Sequence, residues 1–318
     1  MMKYRKIVTA TLLVTMLMYA SGCKKEKESN VLDNKKQENT TTIFETEQPQ
    51  TKIDPTEEVQ STKAVKQEYI NEKGNCIKDR ILVPEGFERV HHKKNSFGYF
   101  LENYHLCESG QPVYLYDGSK KGNQNAHVAV FSMDVVDGDL QQCADSVIRM
   151  YAEYFYEQKE YQRMQFHFVN GFSCEYEKWR QGMRVKVSGN QTQWYQGAEA
   201  ETSKESLESY LRMVFSYGST LSLEQESEIV EIEDIQVGDI FIKGGSPGHV
   251  VMVADVCKNQ NGEKAFLLAQ GYMPAQQFHI LKNPLHEENP WYYQSEITYP
   301  LDTPEYIFEE GSLRRPAY

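Results

Sequence analysis

Three apolar segments in the last third of the chain constrain the fold most. They are "VGDIFIKGG" (237–245), "HVVMVADVC" (249–257) and "KAFLLAQGY" (264–272), and each has the composition of a strand. A glycine-rich turn at 243–248 and a second turn at 261–262 separate them, and both turns have lengths typical of hairpins. We therefore expect three consecutive strands that pair as an antiparallel meander.

Two longer helices are predicted before this meander. The segment 137–161 carries apolar residues at helical spacing, with Asp137 or Asp139 as candidate N-caps. A second helix is expected to begin after Ser203 and to end at Gly218. Because the helices precede an antiparallel sheet, the predicted fold class is α+β, with helices packed on that sheet.

Other segments are less regular. "QPVYLYDGSK" (111–120) and "AHVAVFSMDV" (126–135) predict strands, and the segment 164–179 predicts a strand, a turn at Asn170 and Gly171, and a second strand. The tail after residue 283 is rich in proline and aromatic residues. We expect it to wrap the surface, with or without one more strand.

The N-terminal residues predict the compartment. "MMKYRK" and a short apolar run are typical of a secretory signal rather than a membrane span. The small residues before Cys23 resemble a bacterial lipobox, although Ala20 stands where leucine is usual. We expect a lipoprotein signal at 1–22, a disordered polar tether at 23–67 and a single α+β domain at 68–318. The acylated Cys23 would anchor the chain in a lipid bilayer of the cell envelope, on the periplasmic or outer side of a bacterial membrane.

Charge and cysteine usage exclude several classes of function. The net charge of −12 provides no basic face, so we expect no nucleic-acid partner. Five cysteines follow Cys23, and an odd count outside the cytoplasm leaves at least one thiol unpaired. Whether Cys76 and Cys107 pair is left open. No cysteine or histidine pattern has the spacing of a metal site, so no metal or other cofactor is expected.

The segment "GGSPGHVVMVADV" (244–256) places His249 on the first residue of a strand, where Gly248 would let a substrate approach closely. Strand alternation puts Asp255 and Cys257 on the same face as the histidine. Cys257 is eight residues further along the strand, roughly 26 Å away. A nucleophile and its base must approach to about 3 Å, so the partner of His249 must come from another element.

Cys143 is the candidate partner, because it lies in the first turn of the predicted helix at 137–161. The helix dipole and the unpaired backbone N–H groups favour a thiolate there, so we expect a lowered thiol pKa. The side chain of Gln142 and the backbone N–H of Cys143 would stabilise an oxyanion. Gln270 ends the third strand of the meander and would orient the ring of His249.

These residues form a pattern of short motifs. The pairs "QC" at 142–143, "GD" at the start of the strand 238–241 and "GHV" at 248–250 resemble the papain-like superfamily, in particular CHAP amidases and NlpC-type cell-wall peptidases. The resemblance implies a papain-like architecture and a cysteine amidase or peptidase that acts on peptide or peptidoglycan bonds. Two departures stand out. The cysteine and histidine are about twice as far apart as in those compact enzymes, and Gln270 stands where histidine, asparagine or aspartate is usual.

A broader resemblance covers roughly 80–291. "VPEGFERV", "LQQCADSVIRMYAEYFY", "GSPGHVVMVADV" and "LLAQGYMPAQQFHILKNP" look like a family of Bacteroides-type lipoproteins built on a domain of unknown function. That resemblance implies kinship and compartment, and it implies no reaction.

Two classes of function therefore stay open. The first is a membrane-anchored cysteine hydrolase, and the second is a catalytically inactive papain-like relative that binds an envelope ligand or a protein partner in the same groove. In the second case Cys143 is a small core residue and His249 is a hydrogen-bonded residue at a strand edge. Trp179 and Arg184 are candidates for binding an acidic or sugar group of a wall polymer, with a solvated rim as the alternative.

Overall fold

The computed structural model describes residues 67–318. Its helices are α1 (Ile77–Arg80), α2 (Phe97–Glu102), α3 (Cys143–Gln158), α4 (Tyr176–Arg180), α5 (Lys204–Tyr217) and α6 (Thr220–Gln225). Its strands are β1 (Phe87–Arg89), β2 (His127–Val130), β3 (Gln165–His167), β4 (Ser173–Glu175), β5 (Met183–Ser188), β6 (Gln191–Gln196), β7 (Ser227–Ile229), β8 (Ile240–Lys243), β9 (His249–Asn259), β10 (Lys264–Gln270), β11 (His279–Leu281), β12 (Tyr292–Tyr293), β13 (Leu301–Asp302), β14 (Ile307–Phe308) and β15 (Leu313–Pro316).

One large sheet dominates the described part of the chain. Its strands follow the order β2-β11-β10-β9-β8-β15-β7, and β1 and β12 add to β9 and β10 respectively. All of these strand pairs are antiparallel, which confirms the meander of β8, β9 and β10. Three two-stranded ribbons, β3–β4, β5–β6 and β13–β14, lie beside the sheet. The fold is therefore mixed α/β, mostly antiparallel and with few helices.

The sheet is buried on both faces. Val250 and Met252 belong to the core that also contains the apolar side of α3, whereas Val251 and Val253 belong to a second core. That second core includes Leu301, Phe308 and Leu313 from the C-terminal tail. Because the tail covers this face, the first nine residues of β9 are all buried, and their burial does not alternate.

The predicted alternation along β9 fails at its far end. The register against β10 shifts between Leu267 and Leu268, so one extra β9 residue lies beside Asp255. Such a bulge moves every later side chain to the opposite face. Cys257 consequently belongs to the core that contains α3, and it does not share the face of Val251.

Two other sequence predictions are corrected. The tail does not merely wrap the surface: β15 lies inside the large sheet between β8 and β7, and its Leu313 packs in the second core. The segment 111–120 forms isolated bridges rather than a strand, through Tyr114 to Lys120 and Leu115 to Gln276. A turn within this segment brings Tyr114 and Lys120 together, so too few consecutive residues remain to form a continuous strand.

The "GD" pair, Gly238 and Asp239, stabilises the position of strand β15. Asp239 is fully buried, and Arg315 of β15 donates to its two carboxylate oxygens at 2.7 and 2.9 Å. Gly238 has a φ of 94°, and its carbonyl accepts a hydrogen bond from the Tyr151 hydroxyl of α3. In this structure the motif joins three elements of the fold rather than lining the cleft described below.

The helix boundaries refine two predictions. Ser203 caps α5 through its side chain, and Gly218 is the C-cap, as the sequence predicted. However, α3 begins at Cys143 with Gln142 as its N-cap, so neither Asp137 nor Asp139 caps it. The carboxyl group of Asp145 accepts the backbone N–H of Gln142 and fixes the helix start there.

The predicted signal, the tether and Cys23 lie outside the described residues. Within residues 67–318, no helix is long and apolar enough to cross a membrane. The five cysteines of this region, Cys76 and Cys107 included, are free thiols.

Candidate active site

A cleft of about 400 Å³ opens between the start of α3, the junction of α5 and α6, and the turn before β9. It contains both Cys143 and His249. Tyr272, Met273 and Tyr306 form its remaining wall. The structure therefore brings together the two residues that the sequence proposed as nucleophile and base, although 105 intervening residues separate them.

Cys143 is the first residue of α3 and is partly exposed. The backbone N–H groups of Ala144 and Val250 act on its thiol and favour the thiolate. Val250 directly follows His249, so the start of β9 contributes to the environment of the thiol. A cysteine at a helix N-terminus that also faces backbone donors has the setting of a nucleophile.

The expected low thiol pKa is wrong. Burial, followed by the nearby Asp145 carboxyl, raises the pKa of Cys143 to about 12, which outweighs the opposing effect of the backbone N–H groups. Burial also raises the pKa of Asp145 to about 8. Both groups are therefore protonated near pH 7.

The ring of His249 is buried between aromatic side chains. Its centroid lies 4.7 Å from the ring of Tyr272 and 4.9 Å from that of Tyr306. Burial, with a smaller effect of the Lys121 charge, lowers the pKa of His249 to about 4. The imidazole is neutral at physiological pH, so the resting pair is a thiol and a neutral base.

Gln270 makes the predicted contact with the histidine. Its Oε1 lies 2.7 Å from Nε2 of His249. Its Nε2 lies 2.7 Å from a carboxylate oxygen of Glu305 and 3.4 Å from Nε2 of His279. A carboxylate only accepts hydrogen bonds, so the Gln270 nitrogen faces Glu305 and the Gln270 oxygen faces His249.

This orientation assigns the histidine tautomer. An amide oxygen is only an acceptor, so Nε2 of His249 carries the proton and donates it. The other ring nitrogen, Nδ1, is then the basic one. A neutral imidazole with Nδ1 unprotonated has the form that accepts a proton from a thiol.

Two glycines allow the elements to approach this closely. A Cβ on Gly248 would lie 2.4 Å from the Gly245 carbonyl oxygen, and one on Gly271 would lie 2.4 Å from Oγ of Ser146 in α3. Gly248 therefore packs the turn that presents His249, and Gly271 packs the end of β10 against the first turns of α3. The sequence prediction had assigned Gly248 to substrate access; the structure adds this packing role.

Gln142 lines the cleft beside Cys143. Its side-chain nitrogen donates to Asp139 at 3.0 Å, and the same Asp139 oxygen accepts the backbone N–H of Ala275. One of the two N–H groups of the Gln142 amide is thus already used. The second N–H and the backbone N–H of Cys143 are the donors that the predicted oxyanion site requires.

Trp179 and Arg184 do not line this cleft. The Arg184 guanidinium stacks 4.3 Å from the Trp179 ring centroid and donates to the Trp179 carbonyl oxygen. Trp179 is 4% exposed, so its ring faces cannot stack on a sugar. The structure brings these two residues together, but as part of the packing around α4.

Sequence reasoning missed Tyr272, Tyr306, Asp145 and Glu305. Tyr272 and Asp145 each lie two residues from a predicted site residue, so proximity alone was an available signal. Tyr306 and Glu305 come from the tail, and no periodicity links them to the meander. Among the described residues, no cluster of three or more histidine, cysteine or acidic side chains is arranged to hold a metal ion.

The comparison with protein families gives one match. A model described as a domain of unknown function, DUF4846, matches residues 77–315. The chain belongs to the DUF4846 family. Searches of curated proteins and of solved structures give no significant match.

The raised thiol pKa predicts how Cys143 of this DUF4846 protein reacts with iodoacetamide. The labelling rate should rise by up to roughly tenfold per pH unit from pH 7 to 10, because the thiolate fraction grows with pH below the pKa. The slope should flatten where Asp145 ionises, since its charge is one of the two causes that raise the thiol pKa. Site-resolved mass spectrometry measures the rate, with Cys143→Ser as the assignment control. A rate that is already maximal and constant between pH 5 and 7 would show a preformed ion pair instead.

Proposed function

We propose that this DUF4846 protein is a cell-envelope cysteine amidase or peptidase of papain-like type. The observation that carries the proposal is the shared cleft, whose lining contains both Cys143 and a histidine with Nδ1 as its basic nitrogen. Each of the three predicted side chains, those of Cys143, His249 and Gln270, has a place consistent with its role.

The proposed chemistry uses these groups in order. As the Cys143 sulfur attacks the amide carbonyl carbon, Nδ1 of His249 takes the thiol proton. The carbonyl oxygen becomes an oxyanion, which accepts hydrogen bonds from the backbone N–H of Cys143 and from Gln142. The protonated Nδ1 then gives its proton to the leaving amine as the C–N bond breaks. Water, with His249 as base, hydrolyses the thioester and restores the thiol.

A neutral resting pair is compatible with this sequence of steps. Proton transfer and attack then occur together. A bound substrate excludes water from a cleft in which the His249 ring is already buried. The same neutral pair is also the observation that favours the second candidate, a catalytically inactive relative that binds a ligand in the cleft. The two candidates differ in whether a covalent bond to Cys143 forms.

The lining of the cleft supports a substrate class. Apolar and aromatic side chains form much of it, namely Leu140, Phe215, Pro247, Tyr272, Met273 and Tyr306. Asp139 and Asp145 are the carboxyl groups of the lining, and no lysine or arginine is among the described lining residues. Because Asp145 is protonated, Asp139 and the absence of a cationic lining residue are what favour uncharged peptide segments over the carboxylate-rich stem peptides of peptidoglycan.

Peptidyl acyloxymethyl ketones test the reaction and its charge preference together. A probe with glutamine beside the ketone should form a thioether with Cys143, and the otherwise identical glutamate probe should react at least ~10-fold more slowly. Intact mass spectrometry measures the adduct, and Asp139→Asn should narrow the difference between probes. His249→Ala should abolish most of the reaction with both probes.

The controls separate the candidates. Cys143→Ser should remove the adduct, and a peptide mixture should show new amine termini only with the parent protein. If the probes bind reversibly but neither an adduct nor cleavage occurs, the protein is the inactive relative and the proposal is wrong.

The proposed anchor has its own test in the full chain. In a bacterial host, Cys23→Ser should move the protein out of the membrane fraction, because the acylated residue is lost. Fractionation and intact-mass analysis for added acyl chains measure this, with Cys143→Ser as the matched control. Equal membrane association of Cys23→Ser and parent would contradict lipid anchoring at this residue.

A further inference from the structure

A buried charged pair lies behind the Gln270 amide. Glu305 lies in the turn between β13 and β14, and its side chain is 11% exposed. Lys121, which is 6% exposed, forms an ion pair with one of its oxygens, Oε2. Asn123 donates to the other oxygen at 3.2 Å. Lys121 and Asn123 therefore fix the position of the carboxylate, and its Oε2 also accepts from Gln270.

The same lysine holds the neighbouring histidine. Its Nζ lies 3.2 Å from Nε2 of His279, and Nδ1 of His279 donates to the Gln277 carbonyl oxygen. Nε2 of His279 is thus an acceptor as well. Gln270 faces two acceptors, Oε2 of Glu305 and Nε2 of His279, and its amide nitrogen must point to them.

The amide group of a glutamine can adopt two orientations, related by a half-turn, that exchange its oxygen and nitrogen and occupy nearly the same volume. Without the Glu305 carboxylate, only the 3.4 Å contact with His279, whose Nε2 already accepts from Lys121, opposes a half-turn of the Gln270 amide that would present its nitrogen to His249. Nε2 of His249 would then accept a hydrogen bond, and the ring proton would move to Nδ1. In that tautomer Nδ1 already carries a proton, so it cannot accept the thiol proton.

We propose that Glu305, held by Lys121, is a positioning residue that sets the tautomer of His249 through Gln270. It touches neither the substrate nor the thiol in this scheme. The inference rests on the proposed function, because its readout is the reactivity of Cys143. Gln270 carries no charge, so its own chemistry does not determine which end of the amide faces His249. The Glu305 carboxylate, on the other side of the amide, determines that orientation.

Substitutions of Glu305, tested with the glutamine acyloxymethyl ketone, address this directly. Glu305→Ala should slow adduct formation at Cys143 by roughly 100-fold, the lower end of what general acid–base catalysis contributes. Glu305→Gln should restore most of the rate, since its side-chain oxygen still accepts from Gln270. Thermal unfolding of each variant checks that it is folded, and Lys121→Met combined with Glu305→Ala removes the unpaired ammonium if the single variant is unstable.

A cycle with His249→Ala separates positioning from a general structural effect. If Glu305 acts through the histidine, then Glu305→Ala changes nothing further in the His249→Ala background. Equal slowing in both backgrounds, or an unchanged rate in Glu305→Ala, would overturn the positioning role. If the parent protein forms no adduct that depends on His249, the proposed function itself is wrong.

Discussion

The hydrogen bond from Nε2 of His249 to Oε1 of Gln270 is the contact on which the site depends. It joins the first residue of β9 to the last residue of β10, so the register of the sheet determines whether it forms. It also determines which ring nitrogen is basic, and therefore which side of the histidine can serve a nucleophile. Gly248 and Gly271 let the turn and the strand end approach closely enough for the thiol of α3 to complete the arrangement.

Burial of the sheet stabilises the fold, but burial of Cys143 and His249 disfavours the charged forms of both side chains. The C-terminal tail covers the second face of the sheet, and with it the environment of His249 becomes nearly dry. Desolvation disfavours charged forms, which raises the pKa of Cys143 and lowers that of His249. The backbone N–H groups near the Cys143 sulfur act in the other direction but are weaker here. In the mechanism proposed above, the proton is accordingly transferred during attack.

The sequence predicted the parts of the site that local patterns encode. Strand composition and two short turns were enough for the meander, and the meander places Gln270 near His249. The position of Cys143 near a helix start followed from helical periodicity, although the N-cap was placed three residues or more too early because Asp145 fixes the start from inside the helix. Burial and ion pairs across long stretches of chain have no such pattern. The pairing of Lys121 with Glu305, the bulge beside Asp255 and the entry of β15 into the sheet depend on tertiary packing alone.

Nitrogen-detected NMR of the histidine rings in isotope-labelled protein tests the central claim most directly. His249→Gln assigns the signals of His249 among those of the other histidines. At pH 7 the account predicts a neutral ring with the proton on Nε2 and an unprotonated Nδ1. A proton on Nδ1, or a doubly protonated imidazolium at that pH, would contradict it.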